Sequence, residues 1–203
     1  MSKRRHCLAC DYPENACLCA HIDPIVSQTQ VVILQHPAEA KHAKNSVRLL
    51  RRVLPQAQVY LGESADDFAA IRAELSQRDR VYLLYPSAQS EPAASVTACC
   101  DDQGPLTLVL LDATWRKALK MFKLNPWLQQ LPALHLGEEI QGRYTIRKAS
   151  RPDSLSTLEA TAYCLAQLEP ALSVAPLFRA FDALIEHRLA AMPALVRQRY
   201  STS

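Results

Sequence analysis

The sequence predicts an α/β fold with a mainly parallel sheet flanked by helices. Two observations carry that expectation: from residue 30 onward, short apolar and β-branched runs alternate with segments of helical spacing, and the C-terminal part is helical throughout. Val31-Val32-Ile33-Leu34 reads as a buried strand. Residues 44 to 54 place Val47, Leu50 and Leu54 at helical spacing, with Leu49 and Val53 beside them. Val59-Tyr60-Leu61 reads as a second strand, and Asp66 or Asp67 as the cap of a helix with Phe68, Ile71 and Leu75 on one face. Val81-Tyr82-Leu83-Leu84 is a strand stopped by Pro86, and Leu106 to Leu111 is the strongest strand, ending at Asp112. A helix over 115–123 and a last strand over Ala133 to Leu136 follow. Ser156-Thr157-Leu158-Glu159 has the form of a capping box, with Leu158, Ala162, Leu165 and Leu168 lining one face behind it. Pro176 suits a first helical position, and Leu177, Phe181, Leu184, Ile185 and Leu189 form another core stripe.

The 203 residues suffice for one domain with a good core, 49% are hydrophobic and 21% charged, and there is no internal repeat or low-complexity stretch. No apolar run approaches the roughly 20 residues that span a bilayer. The basic N-terminus leads into a cysteine-bearing segment instead of an apolar signal core, so the expected location is the cytoplasm. Net charge is only +3, but the cations are segregated from the acids: Lys41, Lys44, Arg48, Arg51 and Arg52 form one acid-free cluster. Arg116, Lys117, Lys120 and Lys123 form a second, and Arg143, Arg147, Lys148 and Arg151 a third. Such clusters are either solvated faces or a local surface for a polyanion. The four glycines, at 62, 104, 137 and 142, make neither a G-x-G-x-x-G turn nor a P-loop, which argues against a Rossmann nucleotide site and a Walker ATPase.

Cys7, Cys10, Cys17 and Cys19 fall within 13 residues of a segment (residues 1–24) too short and polar to build its own core, leaving 25–203 as the main domain. Four thiolates suit tetrahedral structural zinc, which can organise such a segment. His6 or His21 could replace one ligand, and disulfides or an iron–sulfur cluster are the alternatives. Cys99, Cys100 and Cys164 read as buried hydrophobes.

Ligands of parallel sheets sit at the carboxyl ends of strands, which singles out Tyr85-Pro86-Ser87 and Asp112-Ala113-Thr114-Trp115. Asp112 can serve as a helix N-cap, face a ligand, or both. Trp115 can be core or can pack on a small ligand. The tetrapeptide, with Lys117-Ala118 and Met121 after it, resembles the D-x-T-W signature of the DTW-domain proteins. Further blocks are similar in the same order: the four cysteines, Gln35-His36-Pro37-Ala38-Glu39, Asn45-Ser46-Val47-Arg48, Leu84-Tyr85-Pro86, Tyr144 to Lys148, and Leu155 to Ala160. Two positions depart from the pattern, Ala113 where glycine is common and Ser46 where threonine is common.

The resemblance implies a SPOUT-like, knotted α/β core that binds S-adenosylmethionine, and transfer of its 3-amino-3-carboxypropyl group to a uridine of the tRNA variable loop. On that reading Asp112 is the general base, and Leu84, Tyr85, Pro86, Thr114, Trp115, Leu155, Ser156 and Thr157 hold the donor, with Arg147 or Lys148 on its carboxylate. Lys44, Arg48, Arg51, Arg52, Arg116, Lys117, Lys120, Arg143 and Lys148 would bind tRNA, and zinc would be structural. A SPOUT-type RNA methyltransferase and a zinc-bearing RNA-binding module without catalysis are the alternatives.

Overall fold

Six strands form one sheet in the order β2-β1-β5-β3-β6-β4, and every neighbouring pair is parallel. The computed structural model describes residues 5–42, 45–98, 104–137, 140, 155–193 and 197. The strands are β1 (Gln30–Gln35), β2 (Gln58–Leu61), β3 (Val81–Leu84), β4 (Glu91–Pro92), β5 (Thr107–Asp112) and β6 (Ala133–His135). The helices are α1 (Pro37–Ala40), α2 (Val47–Val53), α3 (Ala69–Leu75), α4 (Trp115–Leu124), α5 (Thr157–Leu168) and α6 (Ala175–Ala190). The expected strands are all present, within a residue or so of their expected ends. The two-residue β4 carries no periodicity and could not be foreseen.

Alternation along the central strands divides the core. Val31 and Ile33 of β1, with Leu108 and Leu110 of β5, join the cluster that buries α2, α5 and α6. Val32, Leu34 and Val109 join the opposite cluster, with Phe68, Ile71, Leu75 and Met121 under α3 and α4. A strand buried on both faces must be apolar at successive positions, which is why β1 and β5 read as continuous runs. The stripes expected on the last two helices are core: Leu158, Ala162, Leu165 and Leu168 of α5 and Leu177 and Phe181 of α6 are all fully buried.

Local capping follows the sequence at one helix and departs from it at another. Ser156 and Glu159 form the reciprocal capping box of α5. The N-cap of α3, in contrast, is Phe68, with no side-chain cap. Asp67 turns back to accept from the backbone N–H groups of Glu63 and Ser64, each at 2.9 Å. That tight loop also explains Gly62, where a Cβ would lie 2.4 Å from the Asp67 Cβ and 2.9 Å from the Phe68 ring.

The chain entering β1 is anchored by a buried carboxylate at the far end of α5. Glu169 accepts from Ser27 Oγ at 2.5 Å and from the backbone N–H groups of Gln28 (3.0 Å) and Thr29 (2.8 Å). Burial pushes its pKa up, but the hydrogen bonds from Ser27, Thr29 and Gln28 outweigh burial and the net shift is downward. A carboxyl lowered on folding stabilises the fold above its unfolded pKa, and that stability is lost as pH falls through the folded value. Stability is therefore expected to decline as pH drops below the ordinary glutamate range near 4.5, and the acid limb of that decline to shrink in Glu169→Gln. Denaturant melts of both proteins between roughly pH 7 and pH 3 check this; superimposable pH profiles would remove Glu169 from the account.

Candidate active site

The connections leaving β1 and β5 diverge: β1 leads to β2 on one side, whereas β5 leads to β6 on the other. Ligands of open parallel sheets bind where neighbouring connections part in this way, outside the carboxyl ends of the strands. The last residues of these two strands, Gln35 and Asp112, are register partners. Gln35 Nε2 donates to Asp112 Oδ2 at 2.7 Å, and Thr157 Oγ1 donates to Oδ1 at 2.5 Å. Asp112 is 9% exposed, so its carboxylate is nearly buried yet stands on a cavity wall. Two donated hydrogen bonds fix its orientation.

Each partner is itself held. Thr157 is the first residue of α5, placed by the capping box, and its carbonyl accepts from Thr161 Oγ1 at 2.7 Å. Gln35 Nε2 also approaches Asn45 Oδ1 at 3.5 Å, and that oxygen accepts from the backbone of Val47 (2.9 Å) and Arg48 (3.3 Å) at the start of α2. Asp112 is not the cap of the following helix; Thr114 holds that position, without a side-chain cap. Of the two roles the sequence allowed the aspartate, the structure places it toward the cavity.

The cavity, of about 1130 Å³, brings together Leu84, Tyr85, Pro86, Asp112, Thr114, Trp115, Leu155, Ser156 and Thr157. Tyr85 stacks on Phe122 with ring centroids 4.5 Å apart, and burial raises the Tyr85 pKa. Trp115 lines the cavity while 48% exposed, which sets it at the rim. Gln35 (holding Asp112), Glu39, Asn45, Ser90 and His135 were not singled out as site residues beforehand. Gln35, Glu39 and Asn45 lie in the Q-H-P-x-E and N-S-x-R blocks, which carried the signal; Ser90 and His135 had none.

The basic residues have different surroundings. Arg51, Arg52, Arg116 and Lys120 are exposed. Lys117 Nζ pairs with Glu39 at 3.0 Å in the cavity wall, and Lys120 Nζ pairs with Glu63 at 2.9 Å. The Lys120 ammonium, with His36 at 3.3 Å, holds the Glu63 carboxyl below its usual range. Arg48 lies over the Tyr12 ring, 4.2 Å from its centroid and 3.5 Å from Asp11, so it docks the N-terminal segment on α2. Lys44, Arg143, Arg147 and Lys148 lie outside the described residues, as do Cys99 and Cys100.

The sulfurs of Cys7, Cys10, Cys17 and Cys19 all lie within 4.8 Å of one another, and no histidine joins them among the described residues. Cys7 and Cys19 sulfurs are 3.6 Å apart and those of Cys10 and Cys17 3.7 Å. A disulfide needs about 2.05 Å, whereas four ligands at about 2.3 Å from a tetrahedral ion stand about 3.8 Å apart. The four thiols therefore fit a metal ion. Backbone N–H groups of Cys10 and Ala9 lower the Cys7 thiol to about 6, while the neighbouring thiols push Cys19 up to about 12. So close a set cannot all ionise without a cation among them. Cys164, in contrast, is fully buried and pushed by that burial up to about 12, as an inert core thiol should be.

Known proteins resemble this chain over most of its length. The tRNA-uridine aminocarboxypropyltransferase 2 of Drosophila melanogaster is 34% identical over 174 residues, 83% of this chain and 68% of that protein. The protein of the same name from Macaca fascicularis is 30% identical over 174 residues, and the chain spans only 57% of its length. The tRNA-uridine aminocarboxypropyltransferase A of Arabidopsis thaliana is 28% identical over 206 residues, 83% of this chain and 74% of that protein. The DTW domain model matches residues 4–189, from the cysteine cluster through the last long helix. The aspartate that ends β5 is thus the first letter of a motif set in its full domain, and the chain belongs to the DTW-domain family.

Proposed function

We propose that this chain transfers the 3-amino-3-carboxypropyl group of S-adenosylmethionine to N3 of a uridine in the variable loop of tRNA. The observation that carries the reading is the buried Asp112 carboxylate, aimed by Gln35 and Thr157 at the wall of a cavity of about 1130 Å³. Pockets for one small ligand run from about 300 to 1,000 Å³, so this one has room for the donor, and its open side leaves the base a way in. The names of the relatives support aminocarboxypropyl transfer to a tRNA uridine.

In this reading Asp112 accepts the N3 proton as the uracil nitrogen becomes nucleophilic. The donor supplies a sulfonium-activated γ-carbon, where the new N–C bond forms as the C–S bond breaks and 5′-methylthioadenosine leaves. The chain's task is orientation, presenting the γ-carbon and not the methyl group to the base at near-attack distance. Leu84, Tyr85 and Pro86 with Leu155, Ser156 and Thr157 wall the donor, Thr114 and Trp115 close the rim, and Arg147 meets the donor carboxylate. Arg51, Arg52, Arg116 and Lys120, joined by Lys44, Arg143 and Lys148, position tRNA phosphates, whereas Arg48 and Lys117 are engaged by Asp11 and Glu39. Residues 1–24 hold structural zinc through Cys7, Cys10, Cys17 and Cys19. The SPOUT-like knot belongs to the same proposal, and what supports it is membership of the DTW-domain family. Among the described residues no helix is long and apolar enough to cross a membrane.

Incubation with labelled donor and bulk tRNA tests the reading. The expected products are 5′-methylthioadenosine and aminocarboxypropyl-uridine, resolved by chromatography and nucleoside mass spectrometry. S-adenosylhomocysteine in their place would make the chain a methyltransferase, and RNA that stays unlabelled would leave a binding module.

A further inference from the structure

The cavity has a second polar group away from Asp112, at the carboxyl ends of β3 and β6. Ser90 Oγ donates to the Ser87 carbonyl at 2.7 Å, accepts from the Ser87 backbone N–H at 3.0 Å, and meets His135 Nδ1 at 3.0 Å. A serine hydroxyl has one proton to give and two lone pairs to fill. The proton goes to the Ser87 carbonyl, which can only accept, and this is the shortest of the three contacts. The Ser87 N–H, which can only donate, takes one lone pair. The remaining lone pair needs a donor, so Nδ1 of His135 must carry hydrogen. The neutral ring then has an unprotonated Nε2, and among the described residues no further hydrogen bond to the ring is formed. Ser87, Ser90 and His135 all line the cavity, beside the flat apolar wall of Leu84, Tyr85 and Pro86.

We propose that His135, held in its Nδ1–H form by Ser90, offers Nε2 as the hydrogen-bond acceptor that recognises an N–H or O–H of the adenosyl moiety. The inference rests on the donor assignment of the preceding subsection and adds a specificity residue to it. An adenosyl group has two sets of hydrogens to offer such an acceptor, the exocyclic amine of adenine and the ribose hydroxyls. A cavity half that supplies flat apolar walls and one fixed acceptor suits this neutral part of the donor. Glu39, Lys117 and Asp112 sit elsewhere on the lining, where charge is useful to the reacting groups.

The full-length protein can be tested in two ways. In the first, ¹⁵N-imidazole NMR of the free protein above the histidine titration reads the tautomer of His135. The Nδ1–H form is expected in wild type and is expected to be lost in Ser90→Ala; an Nε2–H ring in wild type would overturn the proposal without touching the transfer reaction. In the second, calorimetry measures binding of 5′-methylthioadenosine, its analogue lacking the exocyclic amine, and its analogue lacking the ribose hydroxyls. His135→Phe keeps a ring of similar size but no acceptor, and should bind 5′-methylthioadenosine about 10- to 100-fold more weakly. One of the two analogues should show the same loss on wild type and no further loss on His135→Phe, which names the group recognised. Equal affinity of wild type and His135→Phe would sink this assignment and leave the donor reading standing. Failure of wild type to bind 5′-methylthioadenosine would sink both.

Discussion

Replacing Asp112 by Asn is expected to lower turnover at saturating donor and tRNA by about 10²- to 10⁴-fold, with the protein still folded. The local geometry makes this substitution clean. Both carboxylate oxygens accept hydrogen bonds, from the Gln35 amide on one side and the Thr157 hydroxyl on the other. An asparagine can keep its oxygen toward Gln35 and turn its NH₂ toward Thr157, whose hydroxyl accepts as readily as it donates. Shape and these two hydrogen bonds survive, and what disappears is the negative charge and with it the capacity to take a proton. The expected signature is a fall in turnover at nearly constant affinity for 5′-methylthioadenosine, with the melting temperature within a few degrees of wild type. Turnover within threefold of wild type would assign the proton to another group. Glu39 lies on the same cavity wall and would be next, although its pairing with Lys117 makes it a weaker candidate.

Chelator treatment, or replacing Cys10 by Ser, is expected to cost a large part of the fold's stability. The N-terminal segment is not an independent appendage: Cys10, Tyr12 and Leu18 belong to the same buried cluster as α2, α5 and α6. Tyr12 and Leu18 are 7% and 0% exposed, and releasing them to water forfeits roughly 1.5–3 kcal/mol each, as an upper estimate. Domains of this kind are stable by only about 5–15 kcal/mol in all. A loss of about 3 kcal/mol lowers the melting temperature of a 150–250-residue protein by about 6–12 °C. Chelator treatment should also render the four thiols reactive toward a thiol reagent, and elemental analysis should find one zinc ion per chain. An unchanged melting curve after complete metal removal would reduce the cysteine cluster to an ornament.

The fold was legible in the sequence wherever burial imposed a pattern. β1 and β5 are apolar at every position except their ends because they are covered on both faces, and the α5 capping box was readable because both of its hydrogen bonds close within four residues. Asp67 illustrates the opposite case. An acid before a helix looks like a cap, but the tight turn at Gly62 brought the Glu63 and Ser64 N–H groups to it first. At the site, Asp112 was legible as an acid ending an apolar strand. Gln35 stood in a family-like block, but its role did not show, since it comes from register with a strand more than 70 residues away. Ser90 and His135 meet across 45 residues, through a hydrogen bond that no local spacing foreshadows. The cations were visible as clusters, but their partners were not, and the pairs Lys117–Glu39 and Lys120–Glu63 join segments remote in the chain.

The pairing of Gln35 with Asp112 has a consequence for how this strand can vary in length. Asp112 points to the α5 side because it is an even number of steps from Leu108 and Leu110, which fill the core there. Adding or deleting one residue between Leu110 and Asp112 would reverse that parity and swing the carboxylate to the α4 side, away from Thr157. Chains that keep this chemistry can therefore tolerate exchange of one aliphatic residue for another along β5, and longer or shorter loops on either side of it, but not an indel of one inside it.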